Sequence, residues 1–193
     1  MWRYWWSYPD ELSRLKGDEV LLETARMAKT NHSFQIALQH QTKEFDSLGL
    51  NEAMSKAMNK PSGTSNPDMH NMLSQSMTGV SSILRRVMRI EAARQITVTA
   101  IALKRYQLKH GNYPSDLDSL VPEFVPSVPF DPVDGQPLRY RPKADGTFLL
   151  YSIGENGKDD NGNPSIERGV QITSMYWQNE YALDWVWPQP APQ

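Results

Sequence analysis

The chain contains no cysteine. Disulfide staples, thiol nucleophiles and cysteine-based zinc sites are therefore excluded together, although the absence fixes no compartment. No apolar run approaches the roughly 18–20 residues that a membrane-spanning helix needs. The aromatic opening Met1-Trp2-Arg3-Tyr4-Trp5-Trp6 is too short for the apolar core of an export signal. Neither charge sign dominates: Lys plus Arg number 20 and Asp plus Glu 22, a net charge of −2. No nucleic-acid footprint stands out, and Arg85, Arg86, Arg89 and Arg94 read as the wet face of a helix. Enzyme signatures are also missing. There is no Gly-x-Ser-x-Gly elbow and no Gly-rich phosphate loop before a helix. His32, His40, His70 and His110 are scattered, and His32 and His40 stand too far apart for ligands on adjacent helical turns. The expectation is a protein that is neither an enzyme nor a nucleic-acid binder. It is either cytosolic or part of a longer chain, with membrane contact only through a segment absent from this one.

What is present is a succession of helical patterns followed by strand patterns. The 193 residues suffice for one domain or two small ones, and a fold of this size buries roughly 70% of its unfolded surface. Pro9, Asp10 and Glu11 suit a first helical turn, and Leu12, Leu15, Leu22, Ala25 and Met27 partly follow helical spacing. Phe34 to Leu48 places Phe34, Ala37, Leu38, Gln41 and Phe45 on one face. Gly17 and Asn31 are candidate interruptions, and Asn51 to Asn59 a third short helix. Lys60 to Pro67 is the clearest loop, rich in helix breakers and small polar residues.

A long helix is expected from Pro67-Asp68 to His110, carrying Val80, Ile83, Leu84, Val87, Ile90, Val98, Ile101 and Leu108 at three- and four-residue steps, with Gly79 as a candidate bend. Ile96 to Leu103 is apolar on more than one face, which predicts burial between the N-terminal helices and the sheet. Gly111 is placed to end the helix in a left-handed conformation. Beyond it, Pro114 to Leu120 suits a short helical turn, and Pro122, Pro126, Pro129 and Pro132 impose an extended path. Leu138–Arg141 and Thr147–Ser152 read as antiparallel strands around an Ala144-Asp145-Gly146 turn. The tail from Ile172 to Trp187 offers one more strand. The fold class is thus α+β: N-terminal helices packed on one long helix, then a small antiparallel sheet with a polar loop. The segments are 1–60 (helical region), 67–170 (long helix plus β-meander) and 171–193 (aromatic tail).

Four landmarks recur in a recognisable order: Gly111-Asn112-Tyr113-Pro114, Leu117 to Pro122, Asp131 to Tyr140, and Tyr151 to Gly157. In that order they resemble the C-terminal globular region of the major pseudopilin of type II secretion systems, over roughly residues 90–165. The resemblance implies a pilin-like head, a bacterial envelope or periplasmic setting, and a structural role with a protein partner or self-association. It also implies calcium in the loop after the second strand. Asp159 and Asp160 would supply charge, while Asn161, Asn163 and nearby carbonyls would complete the shell. Two departures stand out. Residues 1–60 show nothing like the family's apolar N-terminal helix, and Asp134 adds one residue to the Asp-Pro-x-Gly spacing. The expectation is a pseudopilin-like module within a different envelope protein.

The loop also has a reading of its own. Asp159-x-Asn161-x-Asn163 has the spacing that opens an EF-hand, but Pro164 stands at the turn glycine and Val170 at the bidentate glutamate. It is not an EF-hand, and a solvated turn stays open beside calcium. Ser115-x-x-Asp118 reads as a variant capping box. Trp2, Trp5, Trp6, Trp177, Trp185 and Trp187 lie near the two ends, which either pack together or form a platform for a ligand. Met54, Met58, Met69, Met72, Met77 and Met88 suit helix packing or an adaptable groove. Two rival functions follow: a soluble binding module that uses the Trp/Met surface for a peptide or glycan, and a metal-dependent hydrolase built on the acidic loop.

Overall fold

The computed structural model describes residues 7–52, 69–165 and 183–187, with the side chains of 7–11, 13–14 and 69–81 left aside. The chain divides into two compact units, Met1–Arg86 and Val87–Gln193. Helices and a three-stranded antiparallel sheet make it an α+β protein, as the patterning predicts.

In the first unit, α1 (Ser7–Asn31) and α2 (Phe34–Ser47) form a helical hairpin. The reversal needs one residue of left-handed backbone, which His32 supplies at φ 53°. Ser33 is extended and caps α2, accepting the Ile36 N–H at 3.4 Å, so one orphan donor of the first turn is satisfied. On α2 the buried ridge is Ala37, Gln41 and Phe45, within the expected face. On α1 the buried ridge is Gly17, Leu21, Thr24 and Ala28, while Leu12, Leu15 and Leu22 are exposed. The reason is size. Small residues let two helices approach, and Thr24 satisfies its hydroxyl on the Val20 carbonyl at 2.7 Å. Leu21, Phe45 and Leu50 form the local core, with Val20 and Leu48 against it. Gly17 therefore interrupts nothing, and Asn31 ends the helix. Of the third short helix, Leu50, Asn51 and Glu52 are helical, and its remainder lies outside the described residues, as does the Lys60–Pro67 loop.

The long helix α3 (Met69–His110) spans 42 residues. Its helical assignment continues through Gly79. From Met88 onward the buried side is Met88, Ala92, Gln95, Ile96, Thr99 and Leu103, with Ala100 and Ala102 at its edges. The buried polar members are satisfied within the helix: Thr99 donates to the Gln95 carbonyl at 2.7 Å and Gln95 to Glu91 at 3.1 Å. The stripe most visible in the sequence is a different one. Ile83, Val87, Ile90, Val98, Ile101 and Leu108 are all exposed. Ile96–Leu103 is thus covered on one side only. Gly111 ends the helix at φ 83°, its N–H donating to the Gln107 carbonyl at 2.8 Å. Among the described residues no helix is long and apolar enough to cross a membrane.

The chain then passes a 3-10 turn at Asp118–Leu120. Asp116 caps this turn: its Oδ1 accepts the Ser119 N–H at 3.0 Å and the Ser119 hydroxyl at 2.8 Å. The Ser115-x-x-Asp118 box is therefore replaced by an Asp116–Ser119 pair. The Phe124 ring lies near Tyr106 and His110 of α3, and Lys109 pairs with Glu123, tying the helix end to this segment. A bridge between Phe130 and Pro137 leads into β1 (Arg139–Pro142), which pairs antiparallel with β2 (Phe148–Ser152) through Arg139↔Tyr151 to Pro142↔Phe148. The Lys143–Thr147 turn closes with Gly146 at φ 76°. β3 (Trp185–Trp187) adds to the other edge of β2, with Ser152 opposite Trp185. Alternate residues of a strand face opposite sides, so the burial of Leu150, Tyr151 and Ser152 in succession means that β2 is covered on both faces. Tyr140 donates its hydroxyl to the Pro114 carbonyl at 2.8 Å, and Phe148 packs edge-on to Tyr113 at 4.9 Å. The Tyr-Pro landmark is thereby docked on the sheet.

Candidate functional site

The acidic loop follows β2 directly. Ser152 and Ile153 end the strand, Gly157 turns back through an N–H bond to the Gly154 carbonyl at 3.2 Å, and Asp159 to Asn163 follow. Asn161 sits in left-handed backbone at φ 61° and Gly162 at φ 78°. At Gly162 a Cβ would meet Leu149 Cδ2 at 2.9 Å, a side-chain end that can shift, so it is the left-handed backbone that calls for glycine.

The four residues expected as ligands lie together in sequence, but each faces its own partner. Asp159 Oδ1 accepts the Tyr151 hydroxyl at 2.9 Å and the Asn161 N–H at 2.9 Å. Asp160 Oδ2 accepts from the Asn156 amide at 2.8 Å. Asn161 Oδ1 accepts from Arg141 at 3.4 Å, and Asn163 Oδ1 accepts the Ser165 N–H at 3.0 Å. Calcium asks for six to eight oxygens converging on one point. Among the described residues no three His, Asp or Glu side chains are grouped to hold one ion. Protein groups also hold the loop.

Sequence reasoning missed the residues that do this. Asp184, immediately before β3, is fully buried, and its carboxylate accepts the N–H groups of Gly162 at 2.8 Å, Asn163 at 3.0 Å and Asp160 at 3.4 Å. Its own N–H donates back to the Asn163 carbonyl at 3.0 Å. Burial raises the Asp184 pKa, against the three N–H bonds that lower it, and neighbouring Asp160 adds repulsion. Asp131, in the Asp-Pro landmark, is equally buried. Its Oδ1 accepts the Val133 N–H at 3.0 Å and the Ser152 hydroxyl at 2.8 Å, and its Oδ2 accepts the Ile153 N–H at 2.9 Å. Desolvation raises its pKa despite these bonds.

Arg139 of β1 links the two regions. It grips Asp134 with two nitrogens, Nη1 to Oδ1 at 3.1 Å and Nη2 to Oδ2 at 2.6 Å. The same Nη1 donates to Asp131 at 3.2 Å, and Nε lies 3.8 Å from Asp159 Oδ2. The bond to Asp134 raises the Arg139 pKa, and the charges of Asp134, Asp131 and Asp159 add to it, against desolvation. At Asp159 burial opposes ionisation, but the Asn161 N–H, the Tyr151 hydroxyl and the charges of Arg139 and Arg141 outweigh it and hold the carboxyl low. Tyr151 is pushed up to about 12 by burial, its bond to Asp159 and the Asp159 charge, so it remains a donor. Asp131 had a signal in the sequence, as part of a landmark. Asp184 had none, because a lone aspartate in an aromatic tail announces no partner.

The other candidates divide. Met88 and Trp185 are buried, which removes them from any exposed Met or Trp platform. Trp2, Trp5, Trp6, Trp177, Met54 and Met58 lie outside the described residues. Fold and site together define an α+β chain with a small, ion-paired β-meander at the end of a long helix. No family model, curated protein or solved structure matches the chain.

Proposed function

We propose that this chain is a non-enzymatic, pseudopilin-like structural module of the bacterial envelope or a secretion-related assembly, acting through a protein partner or a second copy. One observation carries the reading. The long helix ends at Gly111, and the Tyr-Pro turn that follows is docked on the β1–β2 hairpin through Tyr140 and Pro114. That supports the order of landmarks behind the resemblance with a physical connection between them. Asp159, Asn161 and Asn163 accept from Tyr151, Arg141 and Ser165, and their remaining acceptor capacity is what the calcium implied by the resemblance would use.

Cell fractionation combined with photo-cross-linking from exposed Ile101 and Lys143 tests the proposal. The expected result is recovery with the envelope and an adduct to an envelope protein or to another copy. Purely cytosolic recovery without an adduct from either position overturns it.

A further inference from the structure

The cluster beside the acidic loop holds three carboxylates from two stretches of chain, Asp131 and Asp134 before β1 and Asp159 after β2. Like charges this close repel unless a cation lies between them. One does: the Arg139 guanidinium, with its side chain 19% exposed against 0% for Asp131 and 16% for Asp134, where water screens little; Asp159, 43% exposed and 3.8 Å from Nε, forms the outer and more screened pair. A guanidinium is planar, permanently charged and forked, so it can serve several carboxylates at fixed angles. Here its two terminal nitrogens bind Asp134, one of them also binds Asp131, and the remaining Nε faces Asp159.

We propose that Arg139 is the resident cation of this head, holding the loop after β2 closed without a metal ion. The chain of contacts is continuous. Asp131 fixes the end of β2 through Ser152 and Ile153, Arg139 joins Asp131 to Asp159, and Asp159 holds Tyr151 and the Asn161 N–H. Loop closure is thereby encoded in a side chain of β1. This role is independent of the envelope reading, which is tested by cross-links and not by ion response.

Thermal unfolding of the full chain in EDTA and in millimolar calcium tests the proposal, with amide hydrogen exchange at residues 156–163 as the loop readout. Arg139→Gln, Arg139→Lys and, as a control at an exposed cation in the β1–β2 turn, Lys143→Gln are compared with the unaltered chain. The unaltered chain should melt at the same temperature with EDTA and with calcium. Loop amides should exchange about tenfold faster or more in Arg139→Gln, because removing one partner leaves buried charge uncompensated. Arg139→Lys, which keeps the charge without the fork, should fall between, and Lys143→Gln should change little. If Arg139→Gln does not fold, the lysine variant and the ion response of the unaltered chain still decide. A melting temperature that rises with calcium and falls with EDTA overturns the proposal. So does loop exchange in Arg139→Lys no faster than in Lys143→Gln.

Discussion

Asp184 and Asp131 are fully buried carboxylates that take their partners from backbone N–H groups and hydroxyls as well as from basic side chains. A carboxylate only accepts, and it can take several donors at once. A polar loop offering successive N–H groups is therefore well matched to one buried acid arriving from another strand. Removing the acceptor leaves the Gly162 and Asn163 N–H groups without it in a half-buried place. An unsatisfied buried polar group costs about 1–3 kcal/mol. Asp184→Ala should therefore lower the urea-unfolding free energy by about that amount, measured at neutral pH with an unchanged denaturant slope as the check on two-state behaviour. A loss below about 0.5 kcal/mol, the range of ordinary surface changes, would mean that the three N–H groups find other acceptors.

At the scale of elements, α3 shows which part of the pattern was readable and which was not. The apolar period that identifies the helix runs through Val87, Ile90, Val98, Ile101 and Leu108. With Arg94 and Arg105 these residues occupy one sector of roughly 80° at 3.6 residues per turn, and the five apolar ones are exposed. The buried sector runs through Met88, Ala92, Gln95, Ile96, Thr99 and Leu103, and its middle members Ala92, Gln95 and Thr99 carry little of a hydrophobicity signal. The existence of the helix and its C-terminal end were thus legible, as were the β1–β2 hairpin and its turn, since Gly111 and Gly146 mark positions of positive φ. Burial direction was not, because it depends on what packs opposite. The site divides in the same way. The acidic loop could be found from composition, but Asp184 and Arg139 reach it through strand pairing, which local spacing does not encode. The helix gives a direct comparison. Leu103→Ala at a fully buried position should cost about 2–5 kcal/mol through lost contacts and a cavity. Ile90→Ala, at a position 68% exposed, should stay within about 0.5 kcal/mol, aided by the better helix propensity of alanine. Urea melts of both variants decide; equal losses would mean that the two faces of α3 are alike in burial.

At the scale of the whole molecule, the described acids whose pKa is displaced fall into two groups that act in opposite directions on stability. Glu91 is held low first by its bond to Arg94, Asp116 by its bonds to Ser119 and Ser115, and Asp145 by Thr147. Asp159 is held low against the pull of burial. A lowered folded-state pKa gives stability that is present above the unfolded carboxylate value, about 3.9–4.3, and lost as pH falls through the folded value. Asp131 and Asp184 are raised, chiefly by burial. Their contribution is fully present below the unfolded value and is lost as pH rises through the folded one. In acid the second group therefore offsets part of what the first loses. Substitutions should separate the two. The drop in melting temperature from about pH 7 to about pH 3 should shrink in Asp116→Asn, which deletes a lowered acid, and grow in Asp184→Asn, which deletes a raised one. Differential scanning calorimetry across that range reads both slopes, each relative to the variant's own value at neutral pH, so that a pH-independent cost of either substitution cancels. Parallel slopes in the two variants and the unaltered chain would mean that these carboxyls titrate alike in the folded and unfolded states, and that acid stability is set by charges elsewhere on the surface.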